Sequence, residues 1–537
     1  MTIDNDYIAE RFNLLSKLMD IHGENSFKAK SYSVAAFTLE KLPPVEGMPL
    51  EKMTAIRGIG DAIGKKILEI QQTGELKALL EIVHKTPAGV IEMLQIKGLG
   101  PKKIATIWKE MEIESVGELL YACQENRLLL FKGFGEKTQQ NVREAIEFRL
   151  KHAGSHLYAE VEELASRLDA ALKTAFPGEQ FALTGDLRRQ LEVVEKLEWV
   201  TTADVEAAMK AVGETDGVEV GFIRAAPGDF VRVLFETSCS GEFLELAKKS
   251  NGWTEGAGYE NEEALFQAVG MPYLSPVRRE QRGLKDWGAV IEPTDIRAVI
   301  HSHSNWSDGS NTLEEMAAGC IARGYEYLVI SDHSKSAFYA NGLKEDRIRE
   351  QHAQIDELNR KLAPFTIFKS IESDILNDGA LDYADDVLAA FDLVIASVHS
   401  NLKMSQEKAM SRLLRAIENP YTTILGHLTG RLLLSRQGYP VDHKAIVDAC
   451  VQNNVVIELN AHPRRLDMDW RWIGYALEQG AMISIDPDAH SVKGIDVIRF
   501  GVLAAQKAGV TAGQNLSSFG LDEFKEWLLE TRTAKGI

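Results

Sequence analysis

The sequence predicts a multidomain protein: a parallel β/α barrel in its C-terminal half, preceded by small all-α hairpin units. Two observations carry this. Between Ile300 and His490, seven short β-rich runs each finish in a metal-ligand residue type or a polar neighbour of one, with helical spacing between them. In residues 1–150, Gly-apolar-Gly recurs three times between amphipathic helices.

The seven runs are Val-Ile-His301-Ser-His303, followed by Asp308; Tyr-Leu-Val-Ile-Ser-Asp-His333; Phe-Lys-Ser-Ile-Glu372; Leu-Val-Ile-Ala-Ser-Val-His399; Thr-Ile-Leu-Gly-His427; Val-Val-Ile-Glu-Leu-Asn460-Ala-His462; and Met-Ile-Ser-Ile-Asp-Pro-Asp488-Ala-His490. Helices are expected over 312–323, 345–362, 405–418, 442–452 and 470–479, where apolar residues recur every three to four positions. Strands alternating with helices build parallel β/α units. In such a barrel the C-terminal strand ends converge on one mouth, so ligands spread along the chain can meet there. A single histidine after an apolar run is ordinarily a core or surface residue. Six histidines, one glutamate and two aspartates at equivalent places point instead to a polynuclear metal site.

The chain has 537 residues, enough for roughly three to five domains. It lacks an apolar run of about eighteen residues, so no membrane span is expected. Its start, Met-Thr-Ile-Asp-Asn-Asp, has no basic-then-apolar signal. Cys123, Cys239, Cys320 and Cys450 are far apart and form no Cys-x-x-Cys, which excludes a disulfide framework and a zinc finger. A cytoplasmic protein is expected. The net charge of −19 argues against indiscriminate nucleic-acid binding. Residues 1–150 carry 20 Lys and Arg against 21 Asp and Glu, the rest 40 against 58. The N-terminal part is therefore the better candidate for contacting DNA.

The three hairpin segments are Ile56-Arg-Gly58-Ile-Gly60, Ile96-Lys-Gly98-Leu-Gly100 and Phe131-Lys-Gly133-Phe-Gly135. Glycines there allow a tight turn and bring backbone N–H groups to the next helix start, where a phosphate binds. Lys65, Lys66, Lys102, Lys103 and Lys137 follow and add phosphate contacts. The pattern resembles the helix-hairpin-helix motif, which holds DNA backbone without reading sequence. The stretch Leu18 to Tyr32 resembles the opening of the small lyase-type domain of family X DNA polymerases. Lys66 matches the lysine that can form a Schiff base there; a phosphate contact is the plainer reading.

Residues 150–295 resemble the palm and thumb of bacterial PolX-type proteins. Thr184-Gly-Asp-Leu-Arg-Arg keeps Gly185, Arg188 and Arg189 of the family frame, but Asp186 replaces the phosphate-binding serine. The two metal aspartates fall at Lys196 and Glu198, and the third at Phe230, with Asp229 one residue out of register. Two-metal phosphoryl transfer needs clustered carboxylates, and a lysine among them repels the cation. A one-residue slip on a strand would turn Asp229 to the other face. The resemblance therefore implies an α+β palm inactive or weak in synthesis. The segment from Asn261 to Gly283 resembles the thumb.

The C-terminal region resembles the PHP superfamily (polymerase and histidinol phosphatase), a distorted (β/α)7 barrel fused behind bacterial PolX. The resemblance implies up to three divalent metals: one on His301, His303, Glu372 and Asp488; one on Glu372, His399 and His427; one on Asp308, His333 and His490. Mixed imidazole and carboxylate ligands suit Mn²⁺ or Zn²⁺, and Fe²⁺ also fits. Arg431, Arg465 and Lys335 are candidate phosphate contacts, with surface ion pairing as the rival reading. His462 is expected as a neighbour of the ligands. No catalytic residue beyond the metal ligands is called for.

Expected domain bounds are 1–85 (lyase-type), 86–150 (fingers-like), 151–235 (palm), 236–295 (thumb-like and linker) and 296–537 (PHP barrel). The leading expectation is a metal-dependent phosphoesterase acting on gapped or 3′-ended DNA in repair, as a 3′-5′ exonuclease or 3′-end processor, independent of sequence. The rivals are an active family X polymerase with a proofreading barrel, a histidinol-phosphatase-like enzyme, and a non-enzymatic DNA scaffold. Oligomeric state is left open.

Overall fold

The computed structural model describes residues 4–39, 42, 45, 47–150, 154–215, 217–250, 253, 258–280 and 289–537. The first three residues and the Gln281–Gly283 end of the thumb-like segment lie outside them. The chain forms two compact units that divide between Glu147 and Phe148. Among the described residues no helix is long and apolar enough to cross a membrane.

The described part of the first unit is helical. Its three hairpins share one geometry. Gly58, Gly98 and Gly133 have φ of 101°, 93° and 97°, a conformation that strains any residue with a Cβ. The apolar residue between the glycines, Ile59, Leu99 or Phe134, is buried and anchors the turn. Its N–H donates to the carbonyl three residues back: Ile56, Ile96 or Phe131. Gly60 and Gly100, in extended conformation, begin the helices Asp61–Thr73 and Pro101–Lys109; Glu136–Leu150 follows the third turn.

The second unit opens with a three-stranded sheet. Lys196–Thr201 lies between Phe181–Thr184, antiparallel, and Glu219–Arg224, parallel. The palm expectation needs one correction. Phe230 is not on a strand: it starts the helix Phe230–Thr237 and packs with Val200, Ala225 and Leu234. Strand parity therefore says nothing about Asp229, which pairs with Arg232 at 2.9 Å. The residue across from Glu198 on the neighbouring strand is Gly221, which has no side chain to offer.

Helix Glu262–Ala268 is tied to this sheet by charge. Glu262 accepts paired hydrogen bonds from Arg188 (2.8 and 3.0 Å) and from Arg279 (2.7 and 3.0 Å), and Arg279 is fully buried.

The barrel strands are β1 (Ala298–Val299), β2 (Tyr327–Ile330), β3 (Thr366–Asp374), β4 (Leu393–Ser397), β5 (Ile424–Leu425), β6 (Val456–Asn460) and β7 (Ile483–Asp486). They pair in sequence order, all parallel. The five anticipated helices are present as Leu313–Ala322, Glu345–Leu362, Gln406–Ile417, His443–Gln452 and Trp470–Glu478. The barrel is nearly closed. β1 and β7 meet only beyond their ends, through a bridge between Ser302 and Ala489. Lower down, segment 515–518 fills the gap: Ile485 N–H donates to Asn515, Arg297 N–H to the Ser517 carbonyl, and Ser517 Oγ to the Ile485 carbonyl.

Strand parity builds the interior in layers. Val329, Phe368, Ile395 and Val456 form an apolar floor with Phe524 and Leu528 of helix Leu521–Lys535, while Val394, Ala396, Ile457 and Leu459 face the outer helices. Two residues above that floor along the strands come Ser331, Ser370, Ser397 and Glu458, all buried. Two further on come His333, Glu372, His399 and Asn460 at the mouth. The palm-like sheet leans on the barrel through ion pairs: Arg464 with Glu160 (2.9 Å) and Arg471 with Glu192 (2.6 Å).

Burial raises the Glu262 carboxyl, but Arg279 and Arg188 outweigh it and hold it below its ordinary value of 4.5. Glu262→Gln should destabilise the second unit by about 3–5 kcal/mol at neutral pH, because Arg279 stays buried without a counter-charge. A carboxylate with a lowered folded-state pKa stabilises above its ordinary range and loses that contribution as pH falls through the folded value. The gap between wild type and variant in urea unfolding should therefore close as pH falls below the ordinary value of 4.5; a gap independent of pH would refute the ion-pair account.

Candidate metal centre

Two of the nine ligand candidates reach the mouth by backbone strain rather than by parity. His301 and Asp488 have φ of 58° and 51°, the left-handed region that side chains other than glycine rarely adopt. Each directly precedes a partner of the Ser302–Ala489 bridge. The closing of the barrel thus turns both side chains toward the same cup, where His303 Nε2 lies 3.0 Å from Asp488 Oδ1.

Glu372, fully buried on β3, is the hub. Its Oε1 lies 3.3 Å from His301 Nε2, 3.1 Å from His399 Nε2 and 3.0 Å from His427 Nε2. Its Oε2 lies 2.9 Å from His333 Nδ1. On the far side, Asp308 stands 3.3 Å from His490 Nε2 and 3.6 Å from His333 Nε2. All nine candidates are therefore brought together. Three sets are compact enough to share an ion: His301, His303 and Asp488; His333, Glu372 and His399; His303, Asp308, His333 and His490.

The donor atoms fit a cation. His301 Nε2, His333 Nε2 and Asp308 Oδ2 are buried and lack a hydrogen-bond partner. Buried polar atoms are seldom left so. Protonation follows the same logic. Burial, with His490 and His333 nearby, pushes the His303 imidazole down to about 3; burial and Arg465 do the same to His427. Both are neutral at pH 7, the ligand form. Burial also disfavours charge on His399, but Glu372 and Asp374 overcome it and raise it to about 9. The cup draws positive charge.

A surrounding set of residues holds the ligands, and sequence reasoning missed most of it. Glu458 backs His301 Nδ1 at 2.6 Å, and Asp374 backs His399 Nδ1 at 2.5 Å. Buried Asp332 gathers the loop after β1, accepting from Ser304 N–H (2.8 Å), Ser304 Oγ (2.7 Å), Ser307 N–H (3.2 Å) and Gln351 Nε2 (2.6 Å). Asn460 donates to Asp488 Oδ2 at 3.1 Å. The available signal was a carboxylate inside an otherwise apolar parallel strand, a costly placement without a partner.

The phosphate candidates separate. Arg465 is buried at the mouth, its Nε 3.8 Å from Asp488. Arg431 does not fit the phosphate reading: its guanidinium bonds Asp469 (2.5 Å) and the carbonyls of Arg465 (2.9 Å) and Leu466 (2.5 Å), so its donors hold the loop after β6. Lys335 pairs with Glu345 at 2.6 Å, partly exposed, an interaction worth under about 1 kcal/mol that a phosphate can displace. His462 accepts from Arg464 N–H at 3.2 Å beside the ligands.

The carboxylate pattern of the palm-like sheet is different. Lys196 Nζ sits 2.7 Å from Glu198 Oε1, and Asp186 is 2.7 Å from Arg189 Nη2. Among the described residues, the clusters able to hold an ion all lie in the barrel. In the first unit, Lys65 pairs with Asp61 (2.8 Å) and Lys66 with Glu69 (2.5 Å), whereas Lys102 and Lys137 are exposed.

A nearly closed seven-stranded parallel barrel with this histidine and carboxylate mouth is a PHP-type barrel. Residues 3–76 match the model of a helix-hairpin-helix domain, and residues 90–147 that of a SAM-like helix-hairpin-helix tandem. The DNA polymerase/3′-5′ exonuclease PolX of Bacillus subtilis (strain 168) is 30% identical over 95% of this chain and 96% of its own length. The chain belongs to the bacterial PolX family. A probable phosphatase of Caldanaerobacter subterraneus subsp. tengcongensis is 25% identical over 45% of this chain and 95% of its own. One of Thermoanaerobacter sp. (strain X514) is 26% identical over 45% and 98%.

Manganese at about 100 times its dissociation constant should raise wild-type stability by about 2.7 kcal/mol. Glu372→Ala, which removes the hub, should take away most of that rise in a thermal melt. An equal rise in the variant would exclude the cup as the binding site.

Proposed function

We propose that this protein trims DNA 3′ ends during repair in the cytoplasm, as a 3′-5′ exonuclease or 3′-phosphoesterase whose chemistry lies in the barrel. The observation that carries the reading is the convergence of nine histidine and carboxylate side chains on one buried cup, where His301 Nε2, His333 Nε2 and Asp308 Oδ2 lack hydrogen-bond partners. Divalent ions bound there, Mn²⁺ or Zn²⁺ and up to three, would lower the pKa of water toward about 7 and neutralise phosphate charge. His301, His303, Asp308, His333, Glu372, His399, His427, Asp488 and His490 would hold them. Arg465 would orient the scissile phosphate through its planar donors, and Lys335 would assist from the rim.

The hairpins would grip DNA backbone. Gly58 and Gly60, Gly98 and Gly100, and Gly133 and Gly135 shape turns from which main-chain N–H groups can meet phosphate, with Lys65, Lys66, Lys102, Lys103 and Lys137 nearby. The palm would position DNA without synthesis. Its Lys196–Glu198 pair and Gly221 support this, since the lysine supplies the positive charge that a metal would bring. An active polymerase is the second reading, favoured by the words DNA polymerase in the Bacillus relative's name.

One experiment separates these readings. On 5′-labelled gapped DNA with Mn²⁺, wild type should shorten the primer whether or not dNTPs are present. His301→Ala/His303→Ala should lose about 10³-fold or more of that rate, the size of several kcal/mol in the barrier. Primer lengthening with dNTPs would establish the polymerase reading instead. Activity only on small phosphate monoesters would move the protein to the phosphatases.

A further inference from the structure

We propose that Glu458 and Asp374 are positioning residues of this centre, and that they make its Glu372 side bind divalent ions more tightly than its Asp308 side. The inference rests on the metal reading above and goes beyond it by ranking the sites.

Glu458 lies on β6 with its side chain fully buried. One carboxylate oxygen is 2.6 Å from His301 Nδ1, and the other accepts the His427 N–H at 3.3 Å. It thus joins ligands that arise from β1 and β5. It packs beside Gly426, where a Cβ would clash with Ser397 Oγ at 2.2 Å and only touch Glu458 Oε2 at 3.4 Å. Asp374 ends β3, two residues beyond Glu372. Its Oδ1 is 2.5 Å from His399 Nδ1, and its Oδ2 accepts from Ser336 Oγ at 3.0 Å.

The opposite ring nitrogens of these two histidines face one atom. His301 Nε2 and His399 Nε2 stand 3.3 and 3.1 Å from Glu372 Oε1. A carboxylate at Nδ1 fixes the proton there, leaves Nε2 as the donor to the metal, holds the ring and makes it more basic. The Asp308 side is built otherwise. His490 turns Nδ1 to the main-chain carbonyl of Asp488 at 3.0 Å, and His333 turns Nδ1 to Glu372 itself at 2.9 Å. The two backing carboxylates therefore add anchoring and negative charge on the Glu372 side. Losing such partners typically costs about 10–100-fold in metal affinity.

The test uses the full chain. Wild type, Glu458→Gln and Asp374→Asn are equilibrated against graded Mn²⁺, and bound metal is counted by mass spectrometry of the dialysed protein. Melting of the metal-free forms in chelator is followed by circular dichroism. Wild type should show a tight and a weaker class of ion. Each amide variant should weaken the tight class by about 10–100-fold, leave the weaker class in place, and melt metal-free within a few degrees of wild type. Should an amide variant fail to fold, Ser336→Ala, which removes one hydrogen bond from Asp374 and touches no ligand, should move the tight class in the same direction by less. Equal binding in variants and wild type, a single class in wild type, or loss of both classes together overturns the inference. A wild type that binds no metal overturns the centre itself.

Discussion

The structure turns on the cost of burying carboxylates. Asp308, Asp332, Glu372, Asp374, Glu458, Asp486 and Asp488 all lie inside the barrel or its mouth, and each is buried. Two such charges about 4 Å apart repel by about 4 kcal/mol at an effective dielectric near 20, a sizeable share of a domain's whole stability. Hydrogen bonds from Ser304, Ser307 and Gln351 offset part of that cost for Asp332, whose carboxyl burial still raises. Histidine charge outweighs burial at Asp308, Glu372 and Asp488 and holds them low, whereas burial wins at Glu458 and Asp486 and raises both carboxyls. Arg465 reaches Asp488 only at 3.8 Å. Carboxylates beside His301 and His399 overcome burial and raise both imidazoles, His301 well above its ordinary value. The carboxylates around His301 and His399 thus favour positive charge at that side of the cup.

The palm-like sheet meets a related constraint with a different answer. There the protein supplies its own cation: Lys196 on Glu198, Arg189 on Asp186, Arg188 and Arg279 on Glu262. These pairs are satisfied within the chain, and Glu262 binds the thumb-like helix to the sheet. In the barrel, by contrast, His301 Nε2, His333 Nε2 and Asp308 Oδ2 converge on the cup without hydrogen-bond partners. Satisfied charge holds a scaffold together; unsatisfied converging charge marks a site.

Most of the barrel was legible because two periodicities agree. Alternation along the strands and three-to-four spacing between them place the strands, their order and five helices, and the ligand residues fall where parity points inward at the strand ends. What was not legible depends on backbone that departs from parity. His301 and Asp488 enter the cup through left-handed residues that sequence spacing does not reveal. The family frame places Phe230 on a strand, yet that segment is a helix, and the position beside Glu198 is Gly221. Arg431 and Arg465 look alike in sequence. One is spent on Asp469 and two carbonyls and the other borders the ligands, a difference only the loop's fold decides. Glu458 and Asp374 were visible as charges in apolar strands, but their partners were not.

The loop after β6 joins these two regions of the second unit. It carries His462, Arg464 and Arg465 within four residues. Arg465 borders the cup, while its neighbour Arg464 reaches Glu160 on the helix Tyr158–Ala175 that packs under the palm-like sheet. Arg431 holds the same loop from β5, and Asp469, which it grips, begins the helix bearing Arg471 and its partner Glu192. Arg465, at the edge of the cup, is thus braced on one side by the barrel and on the other by the palm. Truncating the palm would free Arg464 and loosen Arg465, even if no nucleotide ever entered the palm itself. That coupling is a physical reason for a sheet without a carboxylate cluster to keep its frame: its rigidity is transmitted to the barrel mouth through a buried arginine.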